Sequence, residues 1–286
     1  MPDPSPESSP TSSPGSSPTS SGAKRRAIGV FDSGVGGLTV HAALRRLLPN
    51  ERLVYLGDTA RVPYGSRSPQ VITRYALNNA RFLQQFDLKL LVVACNTVSA
   101  TALPALTAAL PIPVLGVVEP GVAAALRTGA KHLGVIGTPS TIRSGAYQSA
   151  IAKRAPAVRV STAACQLFVP LAEEGWLTGE VPRAVAQQYL ASLRVAGVET
   201  LLLACTHYPL LRDAIAAAMG PGTTLVDSAE TSAQAAARLL EERQLVSDGA
   251  GSEQFFVTDL SEQFGAVAER FLGRPVGLPE VVDISQ

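Results

Sequence analysis

The sequence predicts an α/β fold with mostly parallel sheets. Three observations carry that prediction. From Ala27 onward, short β-rich runs alternate with longer amphipathic stretches. Several of the runs, such as LLVVA and TLLLA, are apolar without alternation, as strands covered on both faces are. Polar and reactive residues stand immediately after many of these runs, where an open α/β sheet places its ligands.

Taken in order, the expected strands are 27–31, 52–56, 88–94, 113–117, 132–136, 157–161, 200–204, 223–226 and 254–257. Amphipathic segments at 39–48, 70–86 and 140–153 read as helices between them, and a further helix is expected near 232–242. Residues 1–23 are almost all Ser, Pro, Thr and Gly. That composition buries too little apolar surface to offset ordering entropy, so a disordered tail is expected there.

The chain has 286 residues, 46% hydrophobic and 16% charged, which supports a sizeable core in one or two domains. A net charge of +1 supplies no electrostatic motive for nucleic acid or an anionic membrane. No stretch is long and apolar enough to span a bilayer, and no secretory signal opens the sequence. The cysteines at 95, 165 and 205 are odd in number and far apart, unlike a disulfide framework. A reducing compartment suits them, so a cytoplasmic location is expected.

Residues 90–106 (LLVVACNTVSATALPAL) and 201–215 (LLLACTHYPLLRDAI) echo one another. Each has an apolar run, then Ala-Cys, then polar residues and a helix-like stretch. The echo points to two similar halves facing each other. Apolar strands followed by polar turns also recur by chance in α/β proteins, so the echo alone leaves that alternative open.

The residues after the strands are Asp32-Ser33-Gly34-Val35-Gly36-Gly37, then Gly57-Asp58-Thr59 with Pro63-Tyr64-Gly65, Cys95-Asn96-Thr97, Gly137-Thr138-Pro139 and Cys205-Thr206-His207. The glycine loop does not fit a dinucleotide fingerprint, because the sixth place counted from Gly34 is Thr39. A tight strand-to-helix turn that binds a carboxylate through backbone N–H groups suits it better, with Asp32 and Ser33 directed into a cleft. A lone apolar-flanked cysteine is usually a core residue, and Cys165 fits that description. Cys95 and Cys205 instead close apolar strands, where side chains emerge into a cleft and a following helix favours thiolate. His207 beside Cys205 admits three chemistries: a Cys–His nucleophile, a metal site, or a thiol acid/base tuned by imidazole. The metal reading lacks a close ligand pair, and the nucleophile reading leaves Cys95 unused. Two thiols at equivalent places suit a reaction with two faces, such as racemisation.

Asp32-Ser33-Gly34-x-Gly36-Gly37, Pro63-Tyr64-Gly65, Cys95-Asn96-Thr97, Phe168-Val169-Pro170-Leu171-x-Glu173-Glu174-Gly175 and Cys205-Thr206-His207-Tyr208-Pro209, in that order, closely resemble glutamate racemases. The resemblance runs from about Ile28 to the end. It departs at Gln166, where the family often has Pro. It implies two pseudo-symmetric α/β domains, 24–118 with 230–286 and 119–229, with the active site in the cleft between them. It implies interconversion of L- and D-glutamate without pyridoxal phosphate, metal or nucleotide, in a bacterium that uses D-glutamate for peptidoglycan. It assigns proton transfer to Cys95 and Cys205, and their tuning to Asp32, Glu173 and His207. Substrate contacts fall on Asp32, Ser33, Tyr64, Gly65, Asn96, Thr97, Thr206 and His207, with Thr141 as a further contact. The partner is the small-molecule substrate, and the resemblance is compatible with a homodimer. An aspartate racemase is the near alternative. A Cys–His hydrolase and a non-catalytic amino-acid binding module are more distant ones.

Overall fold

The computed structural model describes residues 20–284. The chain runs through α1 (Ser20–Lys24), β1 (Ala27–Asp32), α2 (Leu38–Leu47), β2 (Arg52–Gly57), α3 (Pro69–Leu83), β3 (Leu88–Val93), α4 (Asn96–Thr101), α5 (Leu103–Ala109) and β4 (Val114–Gly116). It continues through α6 (Val118–Arg127), β5 (His132–Gly137), α7 (Pro139–Ser144), α8 (Ala146–Arg154), β6 (Arg159–Ala164), α9 (Phe168–Glu173), α10 (Glu180–Val195), β7 (Thr200–Ala204), α11 (Arg212–Met219) and β8 (Thr224–Asp227). It closes with α12 (Ser228–Glu242), β9 (Ser252–Val257), α13 (Phe264–Leu272) and β10 (Glu280–Val281).

Two sheets result, ordered β10-β9-β2-β1-β3-β4 and β6-β5-β7-β8, and every strand pair in them is parallel. The core order β2-β1-β3-β4 reappears as β6-β5-β7-β8. In each sheet the chain leaves the central strand to one side and returns on the other, which makes the crevice beside β1 and β3, or β5 and β7, a topological switch point. The echo at 90–106 and 201–215 therefore corresponds to β3 and β7, equivalent strands of two similarly wound sheets. The first sheet also takes β9 and β10 from the end of the chain, reached through α12, which packs on α2 and α6.

The unalternating apolar runs have a simple cause. Successive side chains of a strand point to opposite faces. Ile28, Val30, Tyr55, Leu90 and Val92 enter one core, and Phe31, Val54, Leu56, Leu91 and Val93 enter another on the far face. The second sheet does the same, with Ile136, Leu201 and Leu203 on one side and Leu133, Val135 and Leu202 on the other. Helices cover both faces of the central strands β1, β3, β5 and β7, so these are buried along their whole length.

Several expectations need correction. The helix expected over 140–153 is two helices, because Gly145 adopts φ +67° and ends α7. The strand expected at 157–161 lies at Arg159–Ala164, set by pairing of Arg159 with His132 on β5. The edge strand β4 keeps three residues because only three pair with β3. Helix α3 stops at Leu83 and passes into a 3₁₀ turn at Gln84–Phe86. The tail expected over 1–23 lies outside the described residues as far as residue 19, while 20–23 belong to α1. That short helix is held because Lys89 Nζ donates to the Lys24 carbonyl at 2.6 Å and to the Leu245 carbonyl at 2.7 Å, while pairing with Glu51 at 2.5 Å. The Lys–Glu pair is almost fully buried, and its hydrogen bonds offset the desolvation of the two charges.

Candidate active site

Parallel strands all aim their C-terminal ends one way, so residues that follow β1, β3, β5 and β7 converge. A cavity of about 380 Å³ lies there, within the range of small-molecule sites. Both Cys95 and Cys205 line it. So do Ser33, Tyr64, Gly65, Asn96, Thr97, Thr206, His207 and Glu173. Glu174 does not line this cavity.

The two thiols occupy different surroundings. Cys95 caps α4 and is 5% exposed. Its Sγ donates to Ser33 Oγ at 3.3 Å. Burial pushes this thiol up to about 12, and the nearby Asp32 carboxylate adds to the shift; the Ser33 hydroxyl and the Val98 N–H only partly oppose it. Burial and the Asp32 charge thus both favour the thiol form of Cys95 in this arrangement. Cys205 is 6% exposed, with Sγ 3.9 Å from His207 Nδ1. His207 Nε2 lies 2.8 Å from Glu173 Oε1, on the last residue of α9. Burial alone would lower the imidazole, but hydrogen bonding and charge from Cys205 and Glu173 outweigh it and carry His207 to about 10. As an imidazolium, His207 donates from both nitrogens, one towards sulfur and one to carboxylate. That cation therefore faces the Cys205 sulfur directly. The free cysteine Cys165 lines no part of the cavity; burial pushes it up to about 12, as suits a core thiol.

Asp32 sits behind the lining rather than in it. It is 1% exposed and accepts the Gly34 N–H at 3.0 Å through Oδ2. Burial raises its carboxyl, while His207 and the backbone N–H groups of the glycine loop pull it back. Its reach towards the cavity is electrostatic, through Cys95, and Ser33 alone presents a side chain. Asn96 is fixed from both sides: Tyr147 Oη donates to its Oδ1 at 2.5 Å, and its Nδ2 donates to Ser228 Oγ at 3.2 Å. Thr97 Oγ1 meets Thr138 Oγ1 at 3.0 Å and Thr141 Oγ1 at 3.2 Å, a hydroxyl bridge between α4 and the start of α7. Thr141 is thus a buried support and not a lining residue.

Tyr64 lines the cavity, and its hydroxyl is engaged by donating to Asp58. Asp58 is fully buried and also accepts Arg61 Nε at 2.8 Å and Thr258 Oγ1 at 2.9 Å. This carboxylate holds the turn that brings Gly65 against Thr138, where a Cβ on Gly65 would come within 2.9 Å of Thr138 Cβ. Replacing Asp58 with Asn should leave Arg61 unbalanced and cost about 3 kcal/mol of stability. It should also raise KM several-fold while kcat changes little. Denaturant melts and steady-state kinetics check both, and an unchanged KM counts against the role of Asp58 in holding this turn.

The glycine loop of the first half meets the second half directly. A Cβ at Gly36 would lie 2.3 Å from Thr206 Oγ1 and 2.6 Å from His207 Nδ1.

Thr138, Pro139, Gln166, Val169, Pro170 and Ser66 also line the cavity and were not singled out as site residues. Thr138 is among the strand-end residues read from the sequence, although no site role attaches to it there. The α9 residues follow no buried strand end, and only the family-like Phe-Val-Pro-Leu stretch marks them. Among the described residues, no three His, Cys, Asp or Glu side chains converge as metal ligands, and no helix is long and apolar enough to cross a membrane.

Comparison with known proteins fits this geometry. The sequence pattern of the Asp/Glu/hydantoin racemase family matches residues 38–236. The glutamate racemase of Geobacter metallireducens is 53% identical over 257 residues, covering 88% of this chain and 94% of that protein. The crystal structure of Francisella tularensis glutamate racemase with D-glutamate superposes with a TM-score of 0.87 at 38% identity, covering 92% of this chain and 99% of that one. Glutamate racemase from Thermus thermophilus, with β-chloro-D-alanine, gives 0.82 at 46% identity, covering 91% and 97%.

Proposed function

Because the chain belongs to the Asp/Glu/hydantoin racemase family and, within it, to the glutamate racemases, we propose that it interconverts L- and D-glutamate with Cys95 and Cys205 as the proton-transfer pair. The enzyme is an isomerase. One observation carries the mechanism: two sulfurs from equivalent strand ends line a single cavity, one held as thiol and the other beside an imidazolium.

Starting from L-glutamate, the Cys205 thiolate removes the α-hydrogen as a proton, leaving the electron pair on the α-carbon. The Cys95 S–H then delivers its proton to the opposite face. D-Glutamate leaves, Cys205 is a thiol and Cys95 a thiolate, and that form is the one that receives D-glutamate. The carbanion is costly, and backbone N–H groups near Ser33, Asn96 and Thr97 stabilise negative charge building on the α-carboxylate. Exclusion of water strengthens those contacts. Asp32 keeps Cys95 protonated when it must donate, and Glu173 holds His207 cationic beside Cys205.

The two domains are assigned to 24–118 with 230–286 and to 119–229, with substrate enclosed between them. The product feeds peptidoglycan synthesis, and a cytoplasmic location suits that supply and the free thiols. Incubation with L-glutamate in deuterated water, with no added cofactor, tests the function. D-Glutamate carrying deuterium at the α-carbon is the expected product. Inversion with retention of the original hydrogen, or turnover of aspartate in preference to glutamate, would overturn the proposal.

A further inference from the structure

Beside the reaction cavity lies a second cleft of about 360 Å³ that the proton-transfer scheme does not use. Three segments contribute to both. The turn at Tyr64–Ser66 lines the cavity and, continuing, puts Ser66 and Arg67 into the cleft. Helix α4 shows Thr97 to the cavity and, one turn later on the same face, Thr101 to the cleft. The Thr138-Pro139 start of α7 lines the cavity, and Arg143 further along lines the cleft. Ser66 belongs to both, so the two spaces adjoin.

The cleft is cationic. Arg67, just after the Tyr64–Ser66 turn, and Arg143, on α7, are exposed and are the only charged residues among the described ones that line it. Among the described residues neither guanidinium has an ion-pair or hydrogen-bond partner. The positive end of the 15-residue helix α3, capped by Ser68 and beginning at Pro69, opens on the same space and adds to the field. The chain as a whole is nearly neutral, so this concentration of positive charge is local.

We propose that this cleft is an outer anion subsite, in which Arg67 and Arg143 hold a carboxylate of the incoming amino acid before it enters the reaction cavity. The inference rests on glutamate being the substrate. Glutamate carries two carboxylates and one ammonium at neutral pH, a net negative charge. A cationic rim raises its local concentration without regard to chirality. The subsite therefore lowers KM equally for both enantiomers and leaves kcat alone. Equality is also required: the enantiomers have the same free energy in water, so kcat/KM must match in the two directions. The attraction is screened by salt over about 10 Å at 0.1 M ionic strength.

The test compares the parent with the Arg67→Gln/Arg143→Gln double variant, measuring KM and kcat for L- and D-glutamate across a series of salt concentrations. The expected result is a KM raised about 3- to 10-fold for both enantiomers, kcat within about twofold of the parent, and a KM that responds less to salt. The Arg67→Lys/Arg143→Lys variant should stay near the parent, and Arg194→Gln, on α10 outside the cleft, should change nothing. A parental KM with parental salt response overturns the subsite. So does a fall in kcat at unchanged KM, or an equal rise in KM from Arg194→Gln, which would reduce the effect to overall charge. Failure of the parent to racemise glutamate in deuterated water is a separate result, read before any variant is made, and it would remove the substrate assignment itself.

Discussion

Serine at position 95 or 205 should leave a folded protein that racemises glutamate at least about 10³-fold more slowly, within the range that a positioned acid or base supplies. The oxygen preserves the size and the hydrogen-bonding capacity of the side chain, but a serine hydroxyl is a far weaker acid than a thiol. Because mirror-image substrates are equal in energy, kcat/KM must fall by the same factor in both directions, whichever thiol is lost. Exchange without inversion is what separates the two variants. With Cys95 replaced, Cys205 can still take the α-proton of L-glutamate and return deuterium from the solvent to the same face. L-Glutamate should then exchange faster than D-glutamate, and Cys205→Ser should show the opposite preference. Proton NMR of each enantiomer in deuterated water reads this directly. Near-parental racemisation by Cys95→Ser would end the two-thiol scheme.

The second large effect is expected at His207. Its imidazolium sits between the Cys205 sulfur and the Glu173 carboxylate. Removing that cation leaves the Cys205 sulfur without its charged neighbour, and kcat/KM should fall about 10- to 100-fold in His207→Asn. The pH dependence follows from the direction of the shift. His207 titrates at about 10 in the folded protein, above its ordinary value near 6.5. Its cationic contribution is therefore complete below the ordinary value and is lost as pH rises through about 10. Parent kcat/KM should show an alkaline decline there, and stability should lose the same contribution over the same window. Glu173→Gln takes away one of the two contacts that raise the imidazole, so its decline should begin at lower pH. The effect is modest because the Glu173 side chain is 42% exposed. An alkaline limb in the same place for the parent, Glu173→Gln and His207→Asn would show that His207 does not govern it.

Much of this arrangement was legible because parallel sheets impose a strong pattern. Strands buried on both faces must be apolar throughout, and the residue that ends such a run, like Cys95 or Cys205, is conspicuous. The duplicated Ala-Cys marked equivalent strands of two sheets wound in the same order. What stayed hidden depends on approach between segments distant in sequence. The Thr97–Thr138–Thr141 hydroxyl bridge joins three threonines that look ordinary in their local settings. Asp32 reads as a cleft residue, yet the Gly34 N–H draws its carboxylate back beneath Ser33. The consumption of the Tyr64 hydroxyl by Asp58 likewise has no local mark. Gly145 did carry a signal, a glycine at the end of a helical turn, and it was overridden by the amphipathic pattern on either side.

Gly36 carries a last consequence. Its backbone angle is one that any residue could adopt, so no turn geometry demands glycine there. What demands it is the space taken by Thr206 and His207. The position works as a gauge whose tolerance is one hydrogen atom: any larger group would wedge the loop away from the imidazole. Such a wedge would disturb the contact of the glycine loop with Thr206 and His207 at the cavity. The size limit at this glycine is thus imposed from the opposite half of the molecule, by Thr206 and His207.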